Sequence, residues 1–124
     1  MRILVVEDSP LVRRMYGLAF SRRQHDLVLT ENGRAALETL DPAGPGFDLI
    51  LLDLRMPDMD GVQFLRELHR LGIMTPVIIT TAEPEDSPLV AEAHALGAAG
   101  LVQKPWKPLE LQDLALKVIG GGIA

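Results

Sequence analysis

The chain contains no cysteine, which removes disulfides and thiol chemistry and fits a cytoplasmic protein. Aromatic residues make up only 4%, so a core has to come chiefly from Leu, Val, Ile and Ala. Positive charge is scarce: 12 Lys and Arg stand against 17 Asp and Glu, for a net charge of -5. That balance argues against a nucleic-acid surface spread over the domain, though it does not touch a separate DNA-binding partner domain. No apolar run approaches the roughly 20 residues of a membrane-spanning helix. Met1 leads straight into a strand-like segment without a basic start or a cleavage site, so neither a signal peptide nor a membrane association is expected. Internal repeats and a second core are also missing. With 124 residues, one domain is expected over 1–119, and 120–124 is expected to be a flexible tail or the start of a linker.

What is present centres on Phe47 to Gly61. Leu49 to Leu52 is an unbroken apolar run, which suits a strand buried on both faces. Asp53 ends it, Pro57 stops the strand, and Gly61 permits a tight turn. A carboxylate is costly in a core but well placed at the carboxyl edge of a parallel sheet. Alone, Asp53 would read as an ordinary strand-end turn residue.

The rest of the chain alternates. Arg2–Val6 reads as a first strand closed by Glu7 and Asp8. Ser9-Pro10 is an N-cap followed by proline at the first helical position. Leu11, Met15, Leu18 and Ala19 then recur at helical spacing to about Arg22, with Arg13, Arg14, Arg22 and Arg23 solvated. Leu27–Thr30 is a short strand. Asn32-Gly33 could turn a hairpin, but Ala35, Ala36, Leu37 and Leu40 favour a helix start. Asp41 to Gly46 is a proline- and glycine-rich loop. Beyond the central strand, Asp60 caps a helix Val62–Leu71 with Leu65 and Leu68 inward, and Gly72 suits its C-terminal cap. Pro76–Thr81 is a fourth strand. Ser87-Pro88 opens a helix to about Leu96, Ala99–Gln103 is a fifth strand, and Lys104 to Pro108 is a turn. Leu111, Leu114, Ala115 and Val118 form the inner stripe of a last helix, and Gly120-Gly121-Gly122 ends regular structure. Five strands alternating with five helices imply an α/β fold, a doubly wound parallel sheet.

Several of these strand ends carry chemistry: Glu7-Asp8 on the first, Asp53 on the third, Thr80-Thr81 on the fourth and Lys104 on the fifth. In a sheet ordered 2-1-3-4-5, the first and third strands are neighbours and their ends flank the switch point. Three carboxylates brought together repel, so either some are protonated or a cation holds them. A hard divalent ion such as Mg²⁺ fits, using carboxylates, waters and a phosphate. With an ammonium from Lys104 and a threonine hydroxyl, the set contains the parts for in-line phosphoryl transfer onto a carboxylate. Each residue taken singly has an ordinary explanation as a loop charge, turn residue or strand former. Coincidence at four separate strand ends is what favours function.

Leu4-Val5-Val6-Glu7-Asp8-Ser9-Pro10, Asp53-Leu54-Arg55-Met56-Pro57-Asp58-Met59-Asp60-Gly61, Thr81-Ala82 and Lys104-Pro105 resemble, in order, the motifs of two-component response regulator receiver domains, a family with the flavodoxin-like fold. The resemblance spans Arg2 to about Ile119. It implies that Asp53 is the phospho-acceptor. It implies that Asp8 is the direct Mg²⁺ (or Mn²⁺) ligand, joined by Asp53, by Glu7 largely through water, and by the backbone carbonyl of Arg55. Thr81 resembles the switch hydroxyl, with the Ala82 backbone beside it. Lys104 resembles the phosphoryl-contacting lysine, with a cis peptide bond to Pro105. The implied donor is a sensor histidine kinase or a phosphotransfer protein. The implied chemistry is self-catalysed phosphoryl transfer and autodephosphorylation only, not an enzyme acting on a separate substrate.

Two positions depart from the family pattern. Leu101 stands where Tyr or Phe is common, so the aromatic rotamer switch is missing in its usual form. Glu7 replaces the commoner Asp. The alternatives are a pseudo-receiver that only binds partners, or an aspartyl-phosphate phosphatase of haloacid-dehalogenase type. The first would be expected to lose the acid pair, Asp53 or Lys104. The second wants an acid two residues after the nucleophile, where Arg55 stands. His25, His69 and His94 lie on different elements and read as solvated. Trp106 reads as packing beside the Lys-Pro turn. Leu109, Leu116 and Ile119 form a second apolar stripe, read equally as deeper packing or as a homodimer or partner surface.

Overall fold

Each strand in this computed structural model is short and is followed by a helix, and the first four of these helices start on a side-chain cap. Residues 1–21, 23–40 and 46–120 are described. Arg22, the loop from Asp41 to Pro45 and the tail after Gly120 lie outside the described residues. The order is β1 (Arg2–Val6), α1 (Pro10–Ala19), β2 (Asp26–Thr30), α2 (Gly33–Thr39), β3 (Leu49–Asp53), α3 (Gly61–Leu71), β4 (Val77–Thr81), α4 (Pro88–Ala95), β5 (Gly100–Gln103) and α5 (Pro108–Ile119). The five strands form one parallel sheet ordered β2-β1-β3-β4-β5, as expected. The chain reverses its winding between β1 and β3, which leaves a crevice outside their carboxyl ends.

Caps set the helix starts. The Ser9 side chain accepts from the Val12 amide, that of Asn32 from Ala35, and that of Ser87 from Leu89. Asn32-Gly33 is therefore a helix start and not a hairpin turn. Asp60 and Gln63 satisfy each other's backbone amides in a capping box. Gly72 closes α3 in the left-handed region at φ 70°, where a side chain would be strained.

Strand parity divides the core. Ile3, Val5, Leu49, Leu51, Ile78 and Val102 face α1 and α5, against Tyr16, Ala19, Phe20, Trp106, Leu111 and Ala115. Leu4, Val6, Ile50, Leu52, Val77 and Ile79 face α2, α3 and α4, against Ala36, Val62, Phe64, Leu65, Leu68, Val90 and Ala93. Both faces of β3 are completely covered, which is why its sequence is a continuous apolar run.

The first helix differs from expectation. It ends at Ala19, and Leu11 and Leu18 are 67% and 79% exposed. Its inward face is Val12, Tyr16 and Ala19, with Met15 half-buried. Two apolar stripes, one residue out of step, share this helix. Packing selects the one carrying Tyr16, whose ring buries the larger area. Arg13 is not simply solvated either: its guanidinium donates to the Glu7 carbonyl oxygen at 2.8 Å. On α5, Leu111 and Ala115 are buried, Leu114 and Val118 partly so, and Leu109, Leu116 and Ile119 are exposed, which rules out deeper packing for that stripe.

Candidate functional site

Strand parity does not stop at the last strand residue. Glu7 continues the face of Ile3 and Val5, and Asp53 that of Leu49 and Leu51. Thr80 continues the face of Ile78, and Lys104 that of Val102. These four side chains therefore converge on the α1 and α5 side of the sheet's carboxyl edge. Glu7 and Asp53 are buried while Asp8 is exposed. Carboxylate oxygens of Glu7, Asp8 and Asp53 all lie within 4.8 Å of one another. The Lys104 ammonium pairs with both buried carboxylates, standing 2.7 Å from Glu7 Oε1 and 3.2 Å from Asp53 Oδ2.

One ammonium faces three carboxylates here, so negative charge is in excess. Burial pushes the Glu7 carboxyl up to about 7; Lys104 pulls it back and the Asp53 charge raises it again. Burial likewise raises Asp53, opposed by Lys104 and by the Arg55 amide. Burial alone would lower the Lys104 pKa, but the two carboxylates outweigh it and raise it. An additional cation would relieve this imbalance, and an all-oxygen donor set suits a hard divalent ion.

Around this centre the backbone is tightly fitted. The Arg55 amide donates to Asp53 Oδ1 at 3.3 Å, and the Ser9 amide to Glu7 Oε2 at 3.2 Å. The Gly61 amide donates to the Leu54 carbonyl, and a Cβ at Gly61 would come within 2.8 Å of the Asp53 carbonyl oxygen. Glycine is needed there for close approach as well as for the turn. Asp58 adopts φ 69° in the same loop. The peptide bond between Lys104 and Pro105 is cis.

Thr81 lies on the opposite side of the sheet, in line with Ile79. β5 pairs with β4 so that Leu101 lies opposite Ile79 and Gln103 opposite Thr81. The Thr81 hydroxyl accepts from the Glu83 amide at 3.0 Å. Glu83 is held twice more: its carboxylate pairs with the Arg55 guanidinium, and its carbonyl accepts from Gln103 Nε2 at 2.7 Å. Leu101 is half-buried against the α3 and α4 side of the core. Ala82 is exposed at the head of this loop.

The histidines stay apart from the cluster. His25 packs edge-on to Phe20, His69 Nε2 meets the Leu96 carbonyl at 2.6 Å, and His94 is exposed on α4. Trp106 is buried and stacks on Tyr16 with ring centroids 4.9 Å apart. Sequence reasoning missed Tyr16, the Arg55–Glu83 pair and Gln103. Tyr16 is the only tyrosine in the chain, and its place in the alternative α1 stripe was the one available signal. The other two depend on register between strands.

A family model for the response regulator receiver domain matches residues 3–116. Regulatory protein AtoC of Escherichia coli is 41% identical over 117 residues, covering 94% of this chain and 24% of the relative. A protein-glutamate methylesterase/protein-glutamine glutaminase of Treponema denticola is 36% identical, covering 84% of this chain and 28% of the relative. The chain thus spans less than half the length of these curated relatives. Among solved structures, the chemotaxis protein CheY4 of Vibrio cholerae superposes with a TM-score of 0.82 at 29% identity, covering 94% of this chain and 97% of that one. Among the described residues, no helix is long and apolar enough to cross a membrane.

Proposed function

Since the chain belongs to the response regulator receiver family, we propose that it is a phosphorylation-dependent switch of a two-component phosphorelay, with Asp53 as the acceptor. The observation that carries this reading is the convergence of Glu7, Asp8 and Asp53 on the single ammonium of Lys104 at the sheet's carboxyl edge. Mg²⁺, or Mn²⁺, would be held there by Asp8 and Asp53, with Glu7 and the Arg55 carbonyl in support, and would supply charge neutralisation for an approaching phosphate dianion.

The chain's own residues do the rest. An Asp53 oxygen attacks the phosphorus of a phosphohistidine on a sensor kinase or phosphotransfer protein. The O–P bond forms as the N–P bond breaks, and the imidazole leaves with the bond's electron pair. Lys104 already contacts Asp53 and can follow the phosphoryl oxygens as charge develops on them. The Thr81 hydroxyl, currently an acceptor for Glu83, has a donor hydrogen available for a phosphoryl oxygen. The changed loop would then alter affinity for a downstream partner. Arg55 occupies the place where the phosphatase alternative needs an acid, and its side chain is turned to Glu83, so the switch reading is favoured. A pseudo-receiver is disfavoured by the intact set of acids and lysine.

Incubation with acetyl phosphate and Mg²⁺ should add one phosphate to the intact mass. The adduct should be lost in Asp53→Asn and without a divalent ion. Equal adduct yield in that variant, or in chelator, would refute the assignment.

A further inference from the structure

Tyr16 is buried, yet its hydroxyl sits 2.6 Å from Thr80 Oγ1, which is also buried. Core positions on α1 and β4 would ordinarily be filled by apolar side chains, and nothing in the chemistry above uses this pair. Burial pushes the Tyr16 hydroxyl far above its ordinary pKa, so it stays a neutral donor and acceptor. The contacts on either side of the pair give it a role. Thr80 stands opposite Asp53 in the β3–β4 ladder. The Tyr16 ring stacks on Trp106, two residues beyond Lys104. The Lys104 ammonium returns to Asp53.

These contacts close a ring: Asp53 to Thr80 through the sheet, Thr80 to Tyr16 by a hydrogen bond, Tyr16 to Trp106 by stacking, Trp106 to Lys104 through the turn, and Lys104 to Asp53 by charge. Lys104 is a long side chain at the start of the turn that follows β5. Its amide donates to the Thr81 carbonyl, which anchors one end of the turn, and the Trp106 ring anchors the other. We propose that Tyr16 is a positioning residue for phosphoryl transfer: through Thr80 and Trp106 it fixes the Lys104 turn relative to Asp53. The hydroxyl sets the ring's depth, and the ring's face sets the position of Trp106.

The inference rests on Asp53 being the acceptor. Its test is the rate of acetyl-phosphate labelling in Mg²⁺, read by intact mass, with folding checked by circular dichroism. Tyr16→Phe keeps the stacked ring and removes the hydroxyl; labelling should slow by about tenfold, less than the roughly hundredfold that a full 1 Å misplacement can cost. Thr80→Val should slow it similarly, and the double variant no further, because the two hydroxyls are one contact. In a Lys104→Met background, itself slow, Tyr16→Phe should add nothing, which a merely structural loss of stability would not reproduce. Should Tyr16→Phe fail to fold, Thr80→Val carries the same comparison. Labelling of folded Tyr16→Phe or Thr80→Val at the wild-type rate would overturn the inference alone, as would an undiminished effect without Lys104. A wild-type chain that takes no phosphate, or takes it equally in Asp53→Asn, would overturn the acceptor assignment and this inference with it.

Discussion

At the scale of single residues, the cost of the acidic cluster falls mainly on Glu7. Its carboxyl is raised to about 7 because it is buried, so the folded chain holds that proton more tightly than the unfolded chain does. The sign follows directly. Stabilisation from the bound proton is present below the ordinary carboxylate range, near 4.5, and is lost as pH rises to about 7. Asp53, raised in the same direction, adds to the trend. Without divalent ions, thermal unfolding should therefore show a higher midpoint at pH 5 than at pH 7.5, and Glu7→Gln should flatten that slope. Mg²⁺ should bind more weakly as pH falls through the same window, because the ion competes with the proton. Asp8→Asn should weaken Mg²⁺ further while raising apo stability, since it removes a repelling charge. A stability profile that rises between pH 5 and 7.5 in the metal-free wild type would contradict this picture of Glu7.

At the scale of elements, the proposed switch would act through β4, β5 and the loop after Thr81. Parity puts Thr81, Leu101 and Gln103 on one face, while Asp53, Thr80 and Lys104 lie on the other. Strand ends of this kind are legible in a sequence. The buried strands read as continuous apolar runs, the carboxylates interrupt them at the edge, and the Lys-Pro turn marks the end of the fifth strand. Side-chain partners across strands are not legible, because they depend on register, and register comes from packing. Leu101 is legible as a departure because the family pattern marks the position three residues before Lys104, whereas the place of Gln103 opposite Thr81 is visible only once the register is set. Likewise α1 carries two apolar stripes, and only contact with the sheet decides between Leu18 and Tyr16.

The Leu101 side chain is apolar, packs against the α3 and α4 side of the core, and takes no part in the side-chain hydrogen bonds that join Thr81, Glu83 and Gln103, so it should not transmit the switch. Leu101→Ala should cost about 2 kcal/mol through a partial cavity. It should leave the beryllofluoride-induced NMR shifts of the Ala82–Asp86 loop in place, whereas Thr81→Ala should diminish them. Loss of the loop response in a folded Leu101→Ala chain would make Leu101 the transmitter after all.

At the scale of the whole molecule, the acidic cluster and Lys104 sit at one edge of the sheet, while among the described residues most of the exposed large apolar side chains, Met74 apart, lie on α1 and α5. On α5, Leu109 and Leu116 are 71% and 64% exposed, with Ile119 at 37%. The spacing of i, i+7 and i+10 makes one stripe three turns long. A stable dimer interface buries about 800 Å² on each partner, whereas one such stripe offers only a few side chains and has charged Lys117 and Glu110 beside it. The stripe is therefore too small to hold two copies together unaided. Without phosphorylation the chain should sediment as a single 13.5 kDa species at tens of micromolar. Leu116→Arg should leave that mass unchanged and lower no stability beyond a few tenths of a kcal/mol, as for other exposed positions. A dimer of the unphosphorylated chain that dissociates in Leu116→Arg would show instead that this stripe is a complete interface, and that α5 pairs the chain before any signal arrives.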